Sequence, residues 1–108
     1  MISSNADLEF IKKVVWNMGH AVLGYDSNQY RKDCAGAWMC YNEYGNIKSP
    51  FGWEIDHIKP LAANGADAIN NMQPLQWQNN RTKADSYPRC QFCVTSSGNT
   101  NIEYYTLW

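Results

Sequence analysis

Apolar residues recur at helical spacing over residues 6–18, where Leu8, Ile11, Val14, Val15 and Met18 form a stripe with Phe10 and Trp16 alongside. The pattern predicts an amphipathic helix packed on the rest of the chain. Ser4 or Asn5 can cap its start and Gly19 can end it. Residues 24–36, opening with Gly24-Tyr25-Asp26-Ser27-Asn28, are rich in turn formers and are expected to be a loop. A short strand is expected over 37–41, then turns at Tyr44-Gly45-Asn46 and Ser49-Pro50-Phe51-Gly52.

From Trp53 to Ile58 apolar and polar residues alternate, which predicts a strand. Residues 59–70 hold Pro60, Asn64 and Gly65 and suit a compact loop. Met72 to Leu75 then make a short second strand. Good helix formers dominate Trp77 to Asp85, and Pro88 limits any extension of the helix expected there. Residues 94–101 are polar and turn-like, whereas Ile102 to Trp108 is an aromatic segment expected to dock on the core as a strand. No repeat or linker interrupts the chain. The pattern gives an α+β fold in a single small domain spanning residues 1–108, with an N-terminal helix.

Composition narrows the picture. The 108 residues are 44% hydrophobic and 14% aromatic, enough for a compact core that a bound metal would further stabilise. Trp16, Trp38, Trp53, Trp77 and Trp108 are read as core residues, since none sits in a basic, Gly-rich strand pattern. No apolar run approaches membrane-spanning length, and Met1 to Asn5 lack a basic segment followed by an apolar one. An intracellular, cytoplasmic protein without a signal peptide or a membrane partner is therefore expected. Net charge is −1, so the chain does not advertise a polyanion partner by bulk charge. Seven of its nine cations fall between Arg31 and Arg89, but six acids share that stretch. Lys12-Lys13 reads as a solvated face, and His20 as a helix-terminal or surface residue. In such a compartment the four cysteines are thiols or zinc ligands rather than disulfides. Cys90 and Cys93 have zinc spacing; Cys34 and Cys40, with five residues between them, do not. The four together are candidates for a structural zinc site, with buried free thiols as the alternative.

The chemistry concentrates in Trp53-Glu54-Ile55-Asp56-His57-Ile58-Lys59-Pro60, Asn70-Asn71-Met72-Gln73-Pro74-Leu75 and Asn79-Asn80-Arg81-Thr82-Lys83. A carboxylate stands beside an imidazole at a strand end, with an amide at a loop exit and another on the following helix. Carboxylate and amide oxygens are hard ligands of the kind Mg²⁺ prefers. A neutral imidazole is suited to take a proton near pH 7. Arg81 and Lys83 carry the charge that a phosphate backbone seeks. In a regular strand Asp56 and His57 point to opposite faces. They can serve one phosphate only if the strand twists or ends there.

The segment Trp53 to Asp85 resembles the HNH (ββα-metal) nuclease motif. Asp56-His57 looks like its Asp-His pair, Asn71 like the central Asn and Asn80 like the third position. Tyr30-Arg31-Lys32-Asp33-Cys34-Ala35-Gly36 and Tyr44-Gly45 are also similar to small bacterial and phage HNH proteins, and an origin of that kind is expected. Zinc-bearing members often place a Cys-x-x-Cys pair at the entry to the catalytic helix, where this chain has Gln76 and Asn79.

The resemblance implies an endonuclease cutting DNA, with RNA as the other candidate polyanion. Asp56 and Asn80 would hold one divalent cation, Mg²⁺ by default, with Mn²⁺, Ni²⁺ or Zn²⁺ as alternatives. His57 would activate water, and Asn71 would pin the loop that aims it. Lys83 is the better candidate for a phosphate contact and Arg81 the weaker. The rival reading is a non-catalytic nucleic-acid-binding module that keeps the ββα shape. A toxin-type nuclease held by an inhibitor partner is a third.

Overall fold

The structure, a computed structural model, describes residues 5–107. A cap at Ser4 and the docking of Trp108 lie outside the described residues. The first element is α1 (Asn5–Trp16), with Asp7 in its first turn and Lys13 in its last, both favourable to the helix dipole. Its buried face is Ile11, Val15 and Trp16. Leu8 and Val14 are half-buried, whereas Phe10 and Met18 stay exposed. The apolar stripe is thus rotated from the expected one toward Trp16, whose indole Nε1 donates to the Ser27 carbonyl at 2.9 Å. Lys12, expected in solvent, lies over the Tyr44 ring at 4.7 Å and pairs with Glu9 at 3.1 Å.

Strands β1 (Tyr30–Lys32) and β2 (Trp38–Cys40) form an antiparallel hairpin in which Tyr30 faces Cys40 and Lys32 faces Trp38. The segment expected to be a loop over 24–36 therefore contains a strand, too short for alternation to reveal it. The turn between the two strands brings Gly36 to φ +87, a conformation that glycine adopts without Cβ strain. Within it, Asp33 Oδ1 accepts the backbone N–H groups of Ala35 at 3.0 Å and Ala37 at 2.9 Å.

Strands β3 (Trp53–His57) and β4 (Met72–Gln76) pair antiparallel, Trp53 opposite Gln76, Asp56 opposite Gln73 and His57 opposite Met72. Pro74 is tolerated in β4 because every strand of a two-stranded sheet is an edge. Helix α2 (Trp77–Lys83) follows without a break, its Gln76 side chain accepting from the N–H groups of Gln78 and Asn79. These elements fall close to the sequence expectation. A third hairpin, β5 (Gln91–Ser97) with β6 (Thr100–Leu107), completes the described chain. Residues 94–101 are thus mostly strand, and only Gly98-Asn99 turns the corner. Their polar composition is explained by cross-hairpin bonds: Thr95 Oγ1 donates to the Ala35 carbonyl at 2.8 Å and Ser96 Oγ to that of Gly36 at 2.6 Å.

The apolar core has two parts. Ile11, Val15, Trp16, Met39, Trp53 and Met72 join α1 to one face of β3–β4. Ala35, Leu75 and Phe92 join the first and third hairpins to the other face. Trp53 is fully enclosed, with Trp16 and Tyr44 ring centroids at 5.1 and 4.9 Å. Trp16 and Trp38 are likewise buried, and Trp77 is half-buried with its Nε1 donating to the Ser49 carbonyl. Because side chains alternate along β3, the residues between Trp53, Ile55 and His57 are turned toward α2. Those residues are Glu54 and Asp56. Among the described residues, no helix is long and apolar enough to cross a membrane.

The two cores are tied by a buried polar joint. Asp33 Oδ2 accepts from the Gln76 N–H and from Asn79 Nδ2, both at 3.0 Å, in addition to the two bonds at Oδ1. Asn79 Nδ2 also donates to the Val94 carbonyl, and its Oδ1 accepts the N–H groups of Cys93 and Val94. One carboxylate and one amide thereby connect all three hairpins to the start of α2. Burial lifts the Asp33 carboxyl above its ordinary value, while the donated hydrogen bonds pull it back. Replacing Asp33 by Ala strands four buried donors, so Asp33→Ala is expected to lose about 3 kcal/mol or more. The measurement is the urea midpoint at unchanged slope, and a midpoint equal to that of the parent contradicts the role given to the joint.

Candidate active site

Strand β3 ends at His57, where the chain leaves the sheet for the 58–71 loop. Alternation along the strand no longer constrains a terminal residue, so Asp56 and His57 line one cleft with Asn80 of α2. The cleft has a volume of about 260 Å³, and Pro60, Leu61, Ala84 and Asp85 complete its rim. The conflict between strand geometry and a shared substrate is resolved by where the strand stops.

Asp56 is buried at 6% exposure. Its Oδ2 accepts from Gln73 Nε2 at 3.0 Å, across the hairpin from it, and its Oδ1 from Lys83 Nζ at 3.2 Å. Burial lifts its carboxyl above the ordinary value, opposed by the Gln73 hydrogen bond and the Lys83 ammonium. Lys83 is itself only 1% exposed and also donates to the His57 carbonyl at 3.1 Å. This corrects the expectation that Lys83 is the better phosphate contact. Being one turn beyond Asn79, it points into the protein along the same buried stripe of α2. The exposed cation is Arg81, with its side chain 56% accessible.

Asn80 Nδ2 donates to Glu54 Oε1 at 3.1 Å, which leaves its amide oxygen as the acceptor it can offer. Arg81 Nη2 reaches the other oxygen of Glu54 at 3.2 Å. His57 Nε2 lies 2.9 Å from Asp67 Oδ1, and this hydrogen bond holds the Asp67 carboxyl below its ordinary value. Asn71 does not enter the cleft lining. Its Oδ1 accepts the Lys59 N–H at 2.9 Å, and its Nδ2 donates to the carbonyls of Lys59 at 2.9 Å and Ala66 at 2.8 Å. Its own carbonyl accepts the Ile58 N–H at 2.8 Å. The loop is closed further at Gly65, where a Cβ would collide with the Lys59 carbonyl.

The four cysteines do not converge. Cys34 is exposed in the first hairpin, Cys40 ends β2, Cys90 precedes β5, and Cys93 within β5 contacts Thr82 Oγ1 at 3.2 Å. Among the described residues, no group of three or more His, Cys, Asp and Glu side chains stands together to hold a metal ion. The four cysteines named as zinc candidates do not form such a group. The set Asp56, His57 and Asn80 contains only two such side chains, its third being an amide. His20, exposed and bridged to Lys32 through the backbone, takes no part.

Residues 45–86 match the family model described as HNH endonuclease. That segment is similar to an HNH endonuclease domain. The match takes in β3, the 58–71 loop, β4 and α2, and so contains every residue of the cleft. Helix α1, the first hairpin and the third hairpin fall outside it. No curated protein and no solved structure matches the chain.

Sequence alone assigned no role to Glu54, Asp67 or Gln73. Glu54 was accessible to it, since it lies two residues before Asp56 on the same strand face. Gln73 follows once the hairpin register is known. Asp67 had no signal, because its position depends on how the loop folds back. Removing the Lys83 charge leaves Asp56 buried without its counter-ion, and Lys83→Met is expected to cost about 3 kcal/mol. The double variant Lys83→Met/Asp56→Asn is expected to recover part of that loss in chemical denaturation. A single variant as stable as the parent refutes the coupling.

Proposed function

We propose that the chain is a divalent-metal-dependent endonuclease that hydrolyses phosphodiester bonds of DNA, with β3, β4 and α2 as its ββα-metal motif. The observation that carries this reading is the meeting of Asp56, His57 and Asn80 in one cleft within the HNH segment. The donor set suits a hard cation: a carboxylate and an amide oxygen, with the imidazole beside them free to act as a base. Each Asp56 oxygen has one protein partner, and a carboxylate oxygen has a further lone pair to give. Asp56 and Asn80 are the residues assigned to the cation. When bound, it supplies stabilisation for the charge on the pentacovalent phosphorus and the departing 3′ oxygen.

The remaining work falls to the protein. His57 accepts a proton from the attacking water at the cleft. Asn71 fastens the two ends of the 58–71 loop and so limits how far the imidazole can swing. Lys83 keeps the Asp56 carboxylate in place and compensates its charge. Arg81, anchored by Glu54 yet exposed, is the cation positioned to meet a phosphate. Cleavage leaves 5′-phosphate and 3′-hydroxyl ends.

His57→Ala is expected to keep the fold and lose at least about 100-fold in plasmid nicking with Mg²⁺ or Mn²⁺. EDTA should abolish parental activity, and an RNA substrate run in parallel defines the sugar preference. Nicking by the alanine variant at the parental rate removes His57 as base. Binding without any cleavage in either metal favours the non-catalytic nucleic-acid module.

Asp56→Ala is expected to abolish calorimetric Mn²⁺ binding, and unchanged affinity removes Asp56 as a ligand. The metal needs Asp56 ionised, and burial raises its proton affinity above that of an ordinary aspartate, whose value is 3.8. Lowering the pH should therefore weaken Mn²⁺ binding, with a midpoint above 3.8. Affinity that stays flat to below that value contradicts the assignment.

A further inference from the structure

The geometry points to Asp67 as the positioning residue for His57, fixing the imidazole as the Nε2–H tautomer so that Nδ1 is the atom that takes the proton from water. The inference rests on the reading of His57 as the base and adds which atom acts and what holds it.

An ionised carboxylate has only acceptors, so the ring nitrogen at 2.9 Å from Asp67 Oδ1 must carry the hydrogen. A neutral imidazole has one N–H. With that hydrogen at Nε2, the lone pair lies at Nδ1. The nitrogen facing Asp67 is therefore excluded as the base in the resting protein, and a water must approach from the Nδ1 side.

The carboxylate is held in place by the loop that carries it. Asn71 binds the carbonyl of Ala66, the residue immediately before Asp67, and both backbone groups of Lys59. Gly65 packs against the Lys59 carbonyl with no room for a Cβ, and its N–H bonds the Pro60 carbonyl at 2.9 Å. The loop thus folds back on its own entry, which brings Asp67 against the side chain at the end of β3. Asn71 fixes the loop and Asp67 transmits that fixation to the ring.

The same contact serves the reaction. As Nδ1 takes a proton from water, the water oxygen bonds to phosphorus, the bond from phosphorus to the 3′ oxygen breaks with its electron pair on that oxygen, and solvent protonates the leaving oxygen. The imidazolium formed keeps its Nε2–H on Asp67, whose negative charge compensates the new positive one. The proton then passes to solvent. Asp67 touches neither substrate nor water in this scheme and acts only through His57.

The test uses the full chain. In ¹⁵N-labelled, metal-free protein at a pH where His57 is neutral, Nε2 is expected to be the protonated nitrogen, with a slowly exchanging ring N–H. Asp67→Ala should abolish that slow exchange, and plasmid nicking should fall about 10- to 100-fold in kcat with KM little changed. Asp67→Glu should restore part of both. A parental spectrum with the proton on Nδ1 overturns the inference, as does an Asp67→Ala protein with unchanged ring N–H exchange and unchanged kcat. The spectrum is read without metal or substrate, so it decides the tautomer even if the parent cuts no DNA, an outcome that would instead remove the proposed function.

Discussion

The site depends on a joint that lies outside the cleft. Asp33 accepts four hydrogen bonds, from two N–H groups of its own turn, the Gln76 N–H at the end of β4 and the Asn79 side chain one turn into α2. Asn79 spends its remaining capacity on the β5 backbone. A buried carboxylate is costly unless its acceptors are used, and here its donors come from three places: its own turn, the end of β4 and the Asn79 side chain. The joint fixes the residue at which α2 starts. Once that is fixed, the helical step places Asn80 toward β3 and Lys83 beneath Asp56.

The joint lies where the sequence resemblance would place a Cys-x-x-Cys pair. In that pattern a zinc ion held by cysteines at the helix entry would tie the helix to the upstream segment. Here Gln76 and Asn79 occupy the helix entry, and Asp33 reaches them from the upstream hairpin. Hydrogen bonds between a carboxylate and amides perform the tie. The four cysteines take no part in this tie, and they lie at different points of the fold: a turn, a strand end, the approach to β5 and β5 itself.

Much of the HNH segment was legible because its signals are local. Alternation marks β3, Pro60, Asn64 and Gly65 mark the loop, and Pro88 bounds α2. The cleft residues followed from motif spacing. What the sequence concealed is non-local. Strand β1 is three residues long, and β5 carries Thr95 and Ser96 because their hydroxyls bond the first hairpin rather than solvent. Lys83 comes three residues after Asn80 and so lies near its face of the helix, but the helix angle is silent about depth. Burial of that position is decided by Asp56 on the facing strand. Asp67 was invisible for the same reason: a loop residue acquires a partner only when the loop closes.

The charges around the cleft then form a consistent arrangement. The chain as a whole is at −1, so bulk attraction does not bring a polyanion to it. Asp56 and Asp85 line the cleft and Asp67 stands beside His57. Lys83 is buried against Asp56 and cannot present its charge outward, and Arg81 shares its charge with Glu54. On the proposed reading, local positive potential to seat a phosphate would come largely from a cation held at Asp56. The carboxylate that repels a polyanion in the absence of metal would then become the residue that recruits it, coupling substrate approach to metal occupancy in a way a basic surface would not.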